Sequence, residues 1–338
     1  MLKRLKPIDC KDSWSDAVQK EIEFHLYDLI YRPLLAILHE ETGMKTKENS
    51  RVSLVAALRA GRVQYRDGYF AGELNASVSK DLRSHGAVFD KTRKAFKIEL
   101  DKLPFEIKQA VSASNQKTDA IVGKLNAELD RIEENAASLT YKIDFNDQVE
   151  QIIAGLDDQF HKTAIDDFAV EAQIPDAMRE TLKAEYNKNL DFYIKNWESE
   201  AIFRLRSKVE KNVFTGYRSD HMIEMIQSEN EVTRSKAKFL ARQETNLLTA
   251  AYREERYKDV GVERYMWSTS HDKKVRDRHK HLDGQVFSWD SPPVVDLATQ
   301  RRGHPGEDYN CRCVAIPVFD ERDVQDYKAL SARHNPKT

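Results

Sequence analysis

Glycine and proline are scarce in this chain. Twelve glycines and nine prolines stand among 338 residues, where average usage would give roughly 24 and 17. So few breakers favour long helices and disfavour an all-β sandwich or a glycine-rich dinucleotide fold. Three cysteines, Cys10, Cys311 and Cys313, are too few for a disulfide scaffold, so folding in a reducing cytoplasm is expected. No apolar run approaches the roughly 18 residues that a membrane helix needs, so no membrane is expected among the partners. The opening residues 1–12 are basic but carry no apolar stretch, so they do not read as a secretory signal. Charge of one sign is lacking too. Lys and Arg number 54 against 56 Asp and Glu, a net of −2, which gives no global case for wrapping nucleic acid.

Charge itself is abundant, at 33% of residues against 40% apolar, with a mean hydropathy of −0.68. It is unevenly placed. Residues 1–118 carry 21 basic and 16 acidic side chains, 119–200 carry 8 and 19, and 203–281 carry 18 and 12. An acidic middle between basic stretches implies solvated helix faces, internal pairing, or separate partner surfaces.

Periodicity predicts a helix over 15–38, capped at Ser15 or Asp16, with Val18, Ile22, Leu26, Leu29 and Ile30 as its stripe and a kink at Pro33. A short helix over 51–60 ends at Gly61. Asp67-Gly68 then suits a type I′ turn, so 62–72 should form a β-hairpin with Val63, Tyr65 and Phe70 on one face and Gln64, Arg66 and Tyr69 on the other. Residues 74–118 read as helix broken at Leu103-Pro104. Leu125, Leu129, Ile132, Ala136 and Leu139 form a heptad-like stripe. Gly155 and Pro175 punctuate the acidic middle. Helices follow at 177–198 and 199–214, stopped by Gly216, and a long one at 231–258. The tail 331–338 is polar and expected to fray.

Near residue 263 the texture changes. Residues 264–270 alternate as a half-buried strand does. Asp272 caps a predicted helix 273–281, which would put Asp272, Arg276 and His279 on one face. Gly284 ends it, Val286 and Phe287 start a strand, and 310–318 reads as a closing strand with Cys311 and Cys313 on one face and Arg312 on the other. On the preceding helix Arg242 and Asn246 share a face, while Arg242 and Glu244 point apart.

Ala241-Arg-Gln-Glu-Thr-Asn246, Trp267, Asp272-Lys-Lys-Val-Arg276, His279-Lys-His-Leu-Asp-Gly284, Gly303-His-Pro-Gly306 and Cys311-Arg-Cys313 occur in that order. This signature resembles the Mu F-like phage head morphogenesis family, over about residues 200–318. Gln243 departs from it, standing where the family commonly has a small residue such as Thr. The resemblance implies a minor head protein, made in the host cytoplasm and built into the virion head near the portal, with portal, scaffold or major capsid protein as partners. It also implies an effect on packaged double-stranded DNA or its exit.

Several chemistries compete for the C-terminal constellation. Zinc could be held by Cys311 and Cys313 with His279 or His281 and His304. Alternatively the cysteines are small buried apolar residues and His279 bonds to Asp283 or Asp272. A hydrolase or nuclease would use a metal on Asp272, His279, Asp283 and His304, but no hydrolase motif of known mechanics is present. A structural network of Asp272, Arg276, Asp283, Arg242 and Glu244 is the other account of these polar groups. The basic stretch includes Arg204, Arg206, Lys208, Arg234, Lys236 and Lys238. Lys273, Lys274, Arg278 and Lys280 are its candidates for DNA contact.

The expectation is a mainly α protein: an elongated helical body with a β-hairpin insertion, followed by a small α+β C-terminal module. Its parts would be a helical domain 1–118 with hairpin 62–72, an acidic helical middle 119–200, long helices 201–260, the Mu F-like module 261–320 and a polar tail 321–338. The expected role is structural rather than enzymatic. The alternative is a metal-dependent hydrolase or nuclease, or a toxin-associated module. About 25 residues follow the Cys-Arg-Cys strand, too few for a toxin domain.

Overall fold

The computed structural model describes residues 8–42, 52–137, 143–164, 173–215, 219–319, 323 and 325. The chain is mainly α, with small antiparallel sheets. It divides into two compact units that alternate along the sequence. Met1–Ile22, Ile143–Tyr193 and Ser235–Thr338 form the first, and Glu23–Lys142 with Ile194–Arg234 the second. The segmentation expected in chain order at 118, 200 and 260 does not follow these units. The cause is two long helices, α7 (Asp176–Thr215) and α8 (Ser219–Asp259), each of which contains a boundary. The break expected at 198/199 is absent because no glycine or proline interrupts α7. The expected stop at Gly216, the stripe residue Leu139 and the tail 331–338 lie outside the described residues.

Helix α1 (Asp12–Leu26) starts earlier than expected. Ser15 lies in its first turn, donating to the Asp12 carbonyl, instead of capping it. Proline does not kink the chain outright. A π-turn over Tyr27–Tyr31, closed by Arg32 N–H on the Tyr27 carbonyl, leads into α2 (Arg32–Thr42). Pro33 has no N–H, and its ring would press on the Leu29 carbonyl; the wider turn gives it room.

In the second unit, Ser53 caps α3 (Leu54–Arg59) by accepting from Ala56 N–H. Strands β1 (Val63–Arg66) and β2 (Tyr69–Gly72) form the expected hairpin, with Tyr65 opposite Phe70. Its turn residues Asp67 and Gly68 have φ of +51° and +85°, as a type I′ turn requires. Val63, Tyr65 and Phe70 face the core. Gln64 is buried as well, because its amide donates to Thr118 Oγ1 (2.8 Å) on α5 (Phe105–Ala137).

The helix expected over 74–118 is a correction. After α4 (Ala76–Ser84) come β3 (Val88–Asp90) and β4 (Ala95–Lys97), giving a sheet ordered β1-β2-β4-β3. Gly86, at φ +83°, ends α4. Asp90 Oδ1 accepts from Thr92 and Arg93 N–H to close the turn, and Phe96 lies between Phe70 and Phe89 in the register. The break at Leu103-Pro104 precedes α5, which buries Ile121, Leu125, Leu129 and Ile132.

In the first unit Gly155 is not punctuation but lies within α6 (Asn146–Ala164). A Cβ there would sit 2.4 Å from Trp14 Cζ2. The buried Asp157 on the same helix accepts from Tyr252 OH (2.6 Å), Arg179 Nη2 (2.9 Å) and Ile174 N–H (3.2 Å). It thereby ties α6 to α7 and α8. Arg253, also on α8, is buried and donates to the Ile8 carbonyl through Nε at 3.1 Å.

The C-terminal module is built on β5 (Arg264–Ser268), the centre of a sheet ordered β6-β5-β9, with β6 at Val286–Ser288 and β9 at Val314–Val318. Tyr265, Met266 and Trp267 are all buried, so β5 is covered on both faces and not half-buried. A small hairpin, β7 (Val294–Asp296) and β8 (Arg301–Arg302), stands between β6 and β9 in the chain.

Candidate functional site

The short helix α9 runs over Asp277–Leu282, four residues shorter at its start than expected, with Arg276 at the cap position but its side chain not bonded to the helix start. Asp272 instead accepts from Lys274 N–H (2.8 Å) in the turn ahead of it. Asp272, Arg276 and His279 therefore do not share a helix face. Gly284, at φ +73°, ends the segment as expected.

The closing strand begins at Val314, so Cys311 and Cys313 lie in the turn that enters it. Asn310, at φ +53°, and the contact of Cys313 N–H with Cys311 Sγ (3.4 Å) fold that turn inward. Both sulfurs are nevertheless on one side and buried, while Arg312 points out and pairs with Asp272 at 2.6 Å. Helix α8 holds the turn in place. Gln243 accepts from Asn310 N–H, and Asn246 Nδ2 donates to the Cys311 carbonyl at 3.2 Å. The loop approaches α8 closely at Gly306, where φ is +100° and a Cβ would meet the Ala250 Cβ at 3.3 Å.

His279, 2% exposed, faces both thiols. Its Nδ1 is 3.6 Å from Cys311 Sγ and 3.5 Å from Cys313 Sγ. Its Nε2 is 3.1 Å from Asp308 Oδ2, off the line of a well-aligned hydrogen bond. The Trp267 ring stands edge-on to the imidazole at 5.3 Å. Asp308 is buried and held by Arg301 and by Arg276 at 3.3 Å. The hydrogen bond from Cys313, with His279 adding to it, holds the Cys311 thiol below the usual cysteine value. The same bond and burial push Cys313 up. Two hollows adjoin the sulfurs, of about 450 and 240 Å³, and Arg242 lines both.

Other expected site residues lie elsewhere. His304 is not with the thiols: its Nδ1 is 2.9 Å from Tyr265 OH, and its Nε2 is 3.9 Å from Glu254. The side chains of His304, Glu254 and Glu307 form a separate group. His281 is exposed and turns its Nδ1 to the Asp277 carbonyl. The polar network does not form as one. Asp272 pairs with Arg312, Arg276 with Asp308, and Asp283 accepts from Thr269 N–H. The buried Glu244 accepts from Asn189, and Arg242 lines the hollows. The hydrolase set Asp272, His279, Asp283 and His304 is likewise not brought together. Asp308, Gln243 and Trp267 have parts in the site that spacing did not reveal. Nothing in a lone Asp two residues past Gly306 marks it as the partner of a distant imidazole.

Residues 204–316 match the family model described as Phage Mu protein F like protein, and that segment is similar to this family. An uncharacterized protein of Haemophilus influenzae (strain ATCC 51907 / DSM 11121 / KW20 / Rd) is 35% identical over 130 residues, covering 38% of this chain and 28% of the relative. The chain thus spans well under two thirds of that relative's length. No solved structure matches.

Proposed function

We propose that this protein is a minor head protein that joins the portal vertex during capsid assembly by protein–protein contact. The observation that carries this reading is the Mu F-like match over residues 204–316. Two features support a protein partner. Strand β3 is an edge of its sheet and exposes Val88 and Phe89 at 70% and 41%, and an apolar open edge suits strand addition by another chain. The basic stretch, by contrast, is largely paired within the protein. Arg204 and Lys208 hold Glu229, Arg206 bonds Asp130 and Glu133, and Arg234 bonds Glu23 and Glu231. Among the candidates for DNA contact, Arg278 donates to the Val294 carbonyl and Lys280 pairs with Asp277. Packaged DNA is therefore the weaker partner in this reading.

The test is co-expression of the full chain with the portal protein of the same phage, followed by affinity capture and sizing. A stable complex is expected, weakened at least tenfold by V88E/F89E. Failure to capture the portal, with heads assembling at normal yield without the protein, would sink the reading.

A further inference from the structure

The geometry points to a tetrahedral zinc site formed by Cys311 Sγ, Cys313 Sγ and His279 Nδ1, with solvent in the fourth position and Asp308 orienting the imidazole. It stands apart from the portal reading, since a head protein needs no metal to be one.

Distance is the first argument. Zinc bonds of about 2.3 Å to sulfur and about 2.0–2.1 Å to nitrogen, set at the tetrahedral angle, place the nitrogen and sulfur about 3.6 Å apart. His279 Nδ1 lies 3.5 and 3.6 Å from the two sulfurs. One nitrogen poised equally between two sulfurs is not what a single imidazole–thiol hydrogen bond needs. It is what a shared central ion imposes.

The surroundings are the second argument. A ligating histidine commonly gives its other N–H to a carboxylate, which fixes ring and tautomer. Asp308 Oδ2 stands 3.1 Å from Nε2, and two arginines hold that carboxylate in place. Two thiolates neutralise the charge of one Zn²⁺, so the ion can lie beside the buried His279, Cys311, Cys313 and Asp308. All three ligands line the hollow of about 240 Å³. That leaves the fourth position to a water within it, near Arg242. His304 is outside this set because its Nδ1 is on Tyr265 OH.

The third argument is mechanical. The ligands come from the short helix α9 and from the turn entering β9, two short pieces whose ligands stand 32 and 34 residues apart in the chain. Joining them through a metal converts binding energy into folding energy.

The experiment uses the full chain, purified without chelator. Elemental analysis should find about one zinc per chain, and replacement by Co²⁺ should give the intense thiolate-to-cobalt charge-transfer band of a tetrahedral site. C311S, C313S and H279A should each lose the metal, while C10S and H304A keep it. Cobalt spectroscopy on the unmodified chain guards against variants that merely unfold. Wild-type protein with no metal and no charge-transfer band on cobalt addition overturns the proposal. Metal that survives C311S/C313S, or that H304A removes, overturns it equally.

Discussion

Glu229 and Glu244 are both buried on α8, yet they answer to pH with opposite sign. Burial alone would raise Glu229, but hydrogen bonds from Lys208 and Arg204 outweigh it and hold the carboxyl below the usual glutamate value of 4.5. The native state then binds fewer protons than the unfolded chain. Its stabilisation is complete above pH 4.5 and lost as pH falls through the depressed value. Glu244 has only Asn189 against its burial, and its pKa is raised. Here the native state binds more protons, so stability falls as pH climbs from 4.5 toward the raised value. E229Q should cost about 1–3 kcal/mol at pH 7, because it removes the anion that Lys208 and Arg204 share, and less at pH 4. E244Q should be neutral or stabilising at pH 7, since an amide can still accept from Asn189. Urea titrations from pH 4 to 8 decide this; parallel pH curves for the two variants would contradict it.

Among the elements, Gly155 makes the sharpest case. Replacing a mid-helix glycine by alanine normally gains about 1 kcal/mol. At this place the new methyl would meet Trp14 at 2.4 Å, and such overpacking costs about 1–3 kcal/mol. G155A should lower the melting temperature in the wild type and raise it in a W14A background. The same sign in both backgrounds would remove the account. Nothing in the sequence pairs residue 14 with residue 155, so Gly155 read as a break. The Asp67-Gly68 hairpin and the Gly284 stop were legible because the turn chemistry sits in two or three adjacent residues. The β3–β4 hairpin was missed although Gly86 and the alternation of 95–97 were local clues, because three-residue strands are too short for a period to stand out. The π-turn before Pro33 and the depth of β5 depend on what packs around them. In the site, Cys311, Cys313 and His279 were legible as types at suggestive spacing. Which histidine joins the thiols is settled by the aromatic wall of Tyr265 and Trp289 around His304, and no spacing encodes that.

At the scale of the molecule, the Mu F-like segment is not a unit by itself. Residues 204–316 contain Tyr252 and Arg253, whose partners Asp157 and Ile8 lie outside that span. Excised, the segment leaves a buried hydroxyl and a buried guanidinium unmatched, at about 1–3 kcal/mol or more for each. The isolated 204–316 fragment should show helix by circular dichroism but lack a cooperative thermal transition, whereas the full chain should melt in one or two sharp steps. A cooperative transition in the fragment would show that the outside partners are dispensable.

The bond between Arg253 and the Ile8 carbonyl closes a loop of 245 residues, and it sets a timetable. The ribosome releases Ile8 long before it adds Arg253, and the strand-entering cysteines come later still. The early segment must stay soluble through nearly the whole of translation. Premature termination anywhere before α8 then yields a chain whose first unit is open, a ready target for proteolysis. Only finished copies can close that unit.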